Sequence, residues 1–164
     1  MERIWAPWRM DYIEENDSEE CIFCEKPKMK NDKKSYILFR GELSFVIMNI
    51  YPYTYGHIMV SPYRHISSFS KLKRDELLEL VLAVQESIEI LREVFQAEGF
   101  NVGINEGRIA GAGIDRHMHV HIVPRWKGDT NFMPTLADVR IFPEHLDKTY
   151  QKLYPEFKKI KLSL

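Results

Sequence analysis

The sequence is short of cysteine, of surplus charge and of long apolar runs, and each shortage closes off a class of protein. Its 164 residues include two cysteines, too few for the network of bridges that holds small secreted domains together. Lysine and arginine number 23 against 24 acidic residues, a formal net charge of -1. The strong positive field of a general nucleic-acid binder is therefore missing, although a local basic cleft for one anionic ligand remains compatible with that balance. No continuous apolar run approaches the roughly 20 residues that span a bilayer. The opening Met1-Glu2-Arg3-Ile4-Trp5-Ala6-Pro7-Trp8-Arg9 lacks the apolar core of a secretory signal. Repeats and low-complexity linkers are absent as well. The expectation is a soluble, cytoplasmic protein without a membrane or nucleic-acid partner.

What is present is enough for one ordinary domain: 45% of the residues are hydrophobic, which can furnish a core at this length. The two cysteines are three positions apart, in Cys21-Ile22-Phe23-Cys24, a spacing that suits a metal or redox pair. Alone they are half a zinc site. Residues 14–34 around them are polar and charged and read as solvated loops. Two β-rich runs follow, Tyr36 to Arg40 and Phe45 to Asn49, separated by a turn at Gly41-Glu42, which predicts a hairpin. A third strand is expected from His57 to Ser61, between Gly56 and Pro62. Leu77, Val81, Val84, Ile88, Leu91 and Phe95 then recur in steps of four and three, predicting a helix over about 73–98 with those residues as one apolar stripe and Gly99 as its stop. Further strands are expected at 101–105 and 117–123, with Gly107, Gly111 and Gly113 in the loop between them, and a short helix at about 143–152. Strands with one long helix among them indicate an α+β fold with a mainly antiparallel sheet.

The chemistry concentrates in His117-Met118-His119-Val120-His121-Ile122-Val123-Pro124. Alternation on a strand puts three imidazoles on one face and the apolar side chains on the other. Successive same-face residues lie roughly 7 Å apart, a spacing that reaches neighbouring phosphates but is wide for three ligands of a single metal. Desolvating three imidazoles costs several kcal/mol unless partners or a ligand offset it, so a functional site is expected, with metal binding and phosphate chemistry both open.

Histidine-apolar-histidine-apolar-histidine-apolar-apolar, matched from His117 to Val123, resembles the signature of the histidine-triad family. Upstream, Phe45 to Asn49 and Tyr55-Gly56-His57-Ile58-Met59-Val60-Ser61-Pro62 resemble that family's nucleoside-binding strands. Asn101 to Gly113 is similar to the strand and glycine loop before the triad. The resemblance implies a single domain over 1–164, with a core at about 20–130, an N-terminal Cys-x-x-Cys loop and a C-terminal extension, and it implies a homodimer. It also implies that His119 attacks a nucleotide α-phosphate to form a nucleotidyl-histidine, a role imidazole suits because it is partly neutral near pH 7. His121 would donate to phosphate oxygens or the leaving group, and His57 would orient the nucleophile through its backbone carbonyl. Asn49 would bind the ribose hydroxyls. Asn105, Gly111 and Gly113 would belong to the nucleotide site, the glycines letting backbone N–H groups approach phosphate closely.

By the same resemblance Cys21 and Cys24 are joined by His65 and His117 in a structural zinc site. Such a donor set is tetrahedral, with no position left open for catalysis. Pro124-Arg125-Trp126-Lys127-Gly128-Asp129-Thr130-Asn131-Phe132-Met133-Pro134 and the opening Trp5 to Ile13 are similar to the branch acting on dinucleoside polyphosphates. That branch includes fragile-histidine-triad-like hydrolases and diadenosine tetraphosphate phosphorylases. Gly113-Ile114-Asp115-Arg116 departs from the Gln or Ser that many members carry shortly before the triad, so the acceptor is open between water and inorganic phosphate. The alternatives are a nucleoside phosphoramidase or adenylyl hydrolase acting on small AMP conjugates, and a nucleotide-binding module with little turnover.

Overall fold

The computed structural model describes residues 20–129 and 143–162; the opening 5–13 and the segment 130–134 fall outside the described residues. Five strands make one sheet: β1 (Ile37–Arg40), β2 (Ser44–Met48), β3 (Ile58–Pro62), β4 (Gly99–Gly103) and β5 (Val120–Arg125). Their spatial order is β1-β2-β3-β5-β4, and every pairing is antiparallel. With the helices α1 (Ile22–Glu25), α2 (Asp32–Ser35), α3 (Arg74–Phe95) and α4 (Leu146–Phe157), this is the expected α+β architecture. The segment read as loop around the cysteines contains α1, α2 and a 3-10 turn at Lys26–Lys28, held by local capping such as the Lys34 N–H donating to Asn31 Oδ1 at 3.1 Å. No helix among the described residues is long and apolar enough to cross a membrane.

β2 and β3 are buried along their whole length, which is why they read as unbroken apolar runs rather than alternating ones. Their period of two still sorts the side chains. Val46, Met48, Val60, Val120 and Ile122 face α3 and α4, where they meet Leu80, Leu91, Tyr150, Leu153 and Phe157. Phe45, Ile47 and Met59 turn to the opposite face and pack with Ile37 and Phe23. Each such aliphatic or aromatic side chain contributes about 1.5–3 kcal/mol by burial.

The seam of α3 differs from the stripe expected. Val81 is 45% exposed and Leu77, Val84, Ile88 and Phe95 are only half-buried; besides two glutamates, Leu80, Ala83, Ser87, Ile90 and Leu91 are the buried residues. The helix is apolar on several sides, so two stripes satisfy the periodicity. The sheet takes the one with small Ala83 and Ser87, which allow close approach, and the Ser87 hydroxyl is satisfied by donating to Ala83 O at 2.6 Å. The helix also stops earlier than expected, at Gln96 in the left-handed region (φ 52), and Gly99 opens β4 instead.

Two acidic residues of α3 tie the helix to the rest of the fold. Glu79 is 1% exposed and its carboxylate accepts from the N–H groups of Glu42, Leu43 and Ser44 and from the Ser44 hydroxyl. The turn between β1 and β2 is thus capped by a helix side chain. Gly41 makes room for it, because a Cβ there would stand 2.3 Å from Glu79 Oε1. Glu76 accepts from the Lys73 N–H at 2.8 Å and from Arg64 at 2.8 and 2.6 Å. Those Arg64 contacts, and the Lys73 N–H after them, hold its carboxyl down near about 2 against the opposing effect of burial.

Candidate active site

The three triad histidines reach one face by a route the alternation did not fully anticipate. The strand expected over 117–123 begins at Val120. His117 to His119 are held instead by bonds from a distant segment, Met118 N–H to Ile66 O at 2.6 Å and the Ser61 hydroxyl to Met118 O at 3.0 Å. The sorting of faces nevertheless holds. Met118, Val120 and Ile122 lie in the helix-side core, while Phe23 lies against His117 and His119 on the other side.

His119 donates from Nδ1 to His117 O at 2.8 Å. That bond assigns the tautomer: the proton sits on Nδ1, and Nε2 keeps its lone pair. Burial lowers its pKa, only partly offset by the bond to His117 O, so the ring is neutral near pH 7. The result is an imidazole with one nucleophilic nitrogen available.

A second chain of bonds assigns His57 and His121. The Tyr53 N–H donates to His57 Nδ1 at 3.0 Å, and Asn49 Nδ2 lies 3.3 Å from the same atom. With Nδ1 accepting, His57 carries its proton on Nε2 and donates it to His121 Nδ1 at 3.0 Å. His121 then holds its own proton on Nε2, as a donor. The rings of His119 and His121 meet edge to face at 4.7 Å, so a nucleophile and a donor stand side by side.

Two expected roles look different here. The His57 carbonyl accepts the Asn49 N–H at 3.0 Å; the carbonyl that orients His119 is that of His117. The reason is topological, since His57 O is taken by the chain leaving β2. The Asn49 carboxamide is also engaged, its Oδ1 accepting from the Tyr51 N–H at 2.9 Å, so binding a ribose through it would exchange those bonds. Asn105 is half-buried just beyond β4, whose Gly103 pairs with His121. Gly111 adopts φ 87, a conformation that suits glycine. Gly113 lines a pocket with Cys21, Ile22, Arg108 and Arg116, where the glycine loop meets the cysteine loop.

Cys21, Cys24, His65 and His117 converge as the resemblance implied, with one ligand atom from each all within 4.8 Å of one another. Cys21 Sγ is 3.3 Å from His117 Nδ1 and Cys24 Sγ is 3.2 Å from His65 Nδ1. A tetrahedral zinc with bonds of about 2.3 Å to sulfur and about 2.05 Å to nitrogen sets ligand atoms about 3.6 Å apart. The set fits such an ion. His117 is also oriented as a ligand, because its Nε2–H donates to Pro62 O at 2.9 Å and leaves Nδ1 as the free lone pair. Burial holds the His117 pKa down near about 4, which favours the neutral, ligating form. Burial first, and then Cys21, push the Cys24 thiol up to about 11, so a metal must displace a thiol proton on binding.

Sequence reasoning left out Phe23, whose ring stacks on His119 with centroids 4.6 Å apart. The available signal was an aromatic residue held between the two cysteines. It also left out the backbone groups of Tyr53, Pro62 and Ile66, for which no side-chain pattern exists.

Known proteins resemble this chain in sequence and in fold. The HIT domain family model matches residues 30–128. An AP-4-A phosphorylase from Mycobacterium tuberculosis is 36% identical, over 96% of this chain and 85% of that protein. A bis(5'-adenosyl)-triphosphatase from Dictyostelium discoideum is 35% identical over 59% of this chain and 64% of its own length. Among solved structures, a Zn-bound histidine triad family protein from Mycobacterium smegmatis superposes with a TM-score of 0.67 at 25% identity, covering 85% of this chain and 94% of that one.

Proposed function

Because this chain belongs to the HIT domain family, we propose that it is an enzyme that cleaves dinucleoside polyphosphates at an α-phosphate through a nucleotidyl intermediate on His119. The observation that carries the proposal is the pairing of a neutral His119 with a free Nε2 and a His121 whose proton is held on Nε2 by the relay from His57. Mere binding of a nucleotide needs no nucleophile prepared in this way.

In the first step His119 Nε2 bonds to the α-phosphorus and the bond to the departing polyphosphate oxygen breaks. The His121 Nε2–H donates to the phosphate oxygens or to that leaving oxygen, where negative charge develops. In the second step an acceptor oxygen bonds to the same phosphorus, the N–P bond breaks, and His119 returns neutral. Inorganic phosphate is the favoured acceptor, supported by the relative named a phosphorylase, whose similarity runs over 96% of this chain. The relative named a triphosphatase is matched over a smaller part, 59%. Diadenosine tetraphosphate would then leave as ADP and ATP. Cys21, Cys24, His65 and His117 would hold a zinc ion, which would supply structural cross-linking of the cysteine loop to the triad segment. The domain is read as running through the C-terminal extension, and the physiological unit as a homodimer.

The test is incubation with diadenosine tetraphosphate with and without inorganic phosphate, products being separated by chromatography beside a His119→Ala control. ADP plus ATP formed only with phosphate supports the proposal in full. AMP plus ATP without phosphate keeps the nucleophile but replaces the acceptor by water. No cleavage in either condition removes the dinucleotide reading, and unchanged turnover by His119→Ala removes the mechanism.

A further inference from the structure

We infer that Phe23, the aromatic residue inside the Cys21–Cys24 loop, is a positioning residue that fixes the plane of the His119 imidazole and so aims its Nε2. This rests on His119 being the nucleophile. Among the described residues, His119 has one hydrogen bond through its ring, Nδ1 to His117 O at 2.8 Å. That bond restrains the ring torsion from one edge only, within the tolerance of a single hydrogen bond, and the final torsion of a histidine side chain is intrinsically broad. The opposite edge, which carries Nε2, is held by what packs on the ring faces. Two neighbours define its plane. The flat face of Phe23 lies against it at 4.6 Å and 29°, and the His121 ring meets it at 4.7 Å and 74°.

Phe23 is itself rigidly held. It is 1% exposed, sits in α1 between two candidate metal ligands, and packs with Ile37, Phe45, Ile47 and Met59 on the sheet face. Its ring also lies 5.4 Å from that of His117, the residue that supplies the anchoring carbonyl. The cysteine loop therefore reaches the nucleophile twice, through the backbone of His117 and through the face of Phe23. A misplacement of about 1 Å at a reacting atom can cost about a hundredfold in rate, so a ring that sets the aim of Nε2 acts on the chemical step rather than on substrate binding.

The experiment uses the metal-loaded full chain and compares wild type with Phe23→Leu, which preserves apolar volume but removes the flat face. Three quantities are read: the rate and KM of nucleotidyl-enzyme formation from diadenosine tetraphosphate, the bound metal, and the histidine ring signals in 15N-resolved NMR spectra. The expected result is a rate lower by about ten- to a hundredfold with KM within about twofold, unchanged metal content, and His119 signals that broaden or split as the ring samples more than one orientation. A raised KM with unchanged rate would make Phe23 a substrate contact and overturn the inference. So would sharp, unshifted His119 signals in Phe23→Leu, or a loss of rate that tracks loss of metal and returns on reloading it. Should the variant fail to fold, the wild-type spectrum decides: nuclear Overhauser contacts between the Phe23 ring and the His119 ring are required, and their absence rejects the idea. The NMR readout does not depend on turnover, so failure of the nucleophile assignment, seen as an active His119→Ala, is distinguishable from failure of this inference.

Discussion

At the scale of single residues, the proposed chemistry depends on which nitrogens carry the protons. His119 is neutral because burial disfavours its charged form, and its free nitrogen is Nε2 because Nδ1 is committed to His117 O. Replacing it by alanine is expected to lower turnover by at least about a thousandfold, the scale seen when an activated nucleophile is removed. The direction of its pKa shift predicts the acid limb of the rate of intermediate formation. A group with a depressed pKa stays neutral to lower pH, so the limb should fall below the ordinary histidine value of 6.5. A pH profile with its limb above that value would contradict the assignment. His57 acts one bond further away, by presenting Nε2–H to His121 Nδ1. His57→Phe should therefore reduce the rate by about ten- to a thousandfold while leaving His119 modifiable by the substrate, a split that trapping of the labelled intermediate can measure.

At the scale of elements, the long helix is bound to the sheet by charge as well as by apolar packing. Glu79 reaches from α3 into the turn between β1 and β2 and satisfies three backbone N–H groups and one hydroxyl. Glu79→Ala would leave those donors, of which the two on Ser44 are buried, without this acceptor, and should destabilise the fold by about 2–4 kcal/mol in urea denaturation. Gly41→Ala is predicted to be destabilising for the complementary reason, since its methyl group would meet the Glu79 carboxylate at 2.3 Å. The Arg64–Glu76 contact has a pH signature. The folded pKa of Glu76 lies at about 2 against an ordinary value of 4.5, so its contribution to stability is complete above 4.5 and is lost as pH falls from there toward 2. Glu76→Gln should flatten the acid limb of the stability curve in that window. The strands themselves were legible from composition and turn residues, apart from boundaries that moved by one to three residues, most at the triad strand, which begins at Val120. The buried side of α3 was not, because apolar residues on several sides of one helix leave its facing to the partner it meets.

At the scale of the whole molecule, two features of the described residues ask for a companion. A metal held by Cys21, Cys24, His65 and His117 would bind only the folded chain with full affinity. At a thousandfold above its dissociation constant it would add about 4 kcal/mol of stability, or roughly 8–16 °C in Tm for a chain of this length. Chelation should lower Tm by that order and zinc should restore it; an unchanged Tm would argue against a bound structural ion. The other feature is surface. Leu78 and Val81 stand 50% and 45% exposed on α3, and Val102 stands 46% exposed on β4, which is an edge of the sheet. Exposed apolar side chains on a helix, and a strand edge unpaired among the described residues, are each places where a second copy would add on. Sedimentation of the purified protein should give a dimer, and Val81→Glu should shift it toward monomer; a monomeric wild type would remove the homodimer reading.

The amino-acid sequence by itself determined the α+β class and the period of the histidine run. The period of two matched three imidazoles on one face even though the chain bends at His117 and the strand begins only at Val120, because contacts from Ser61 and Ile66 hold Met118 on the helix side. The sequence also marked Cys21 and Cys24 as half a metal site by residue type and spacing, while His65 and His117 joined them only through the family resemblance. Only the tertiary structure decided which nitrogen of each histidine carries the proton, since that depends on backbone groups of Tyr53, His117 and Pro62 brought in from separate segments. It alone placed Phe23 on His119 and Glu79 under a distant turn, contacts that link residues far apart in the chain and leave no periodic trace in it.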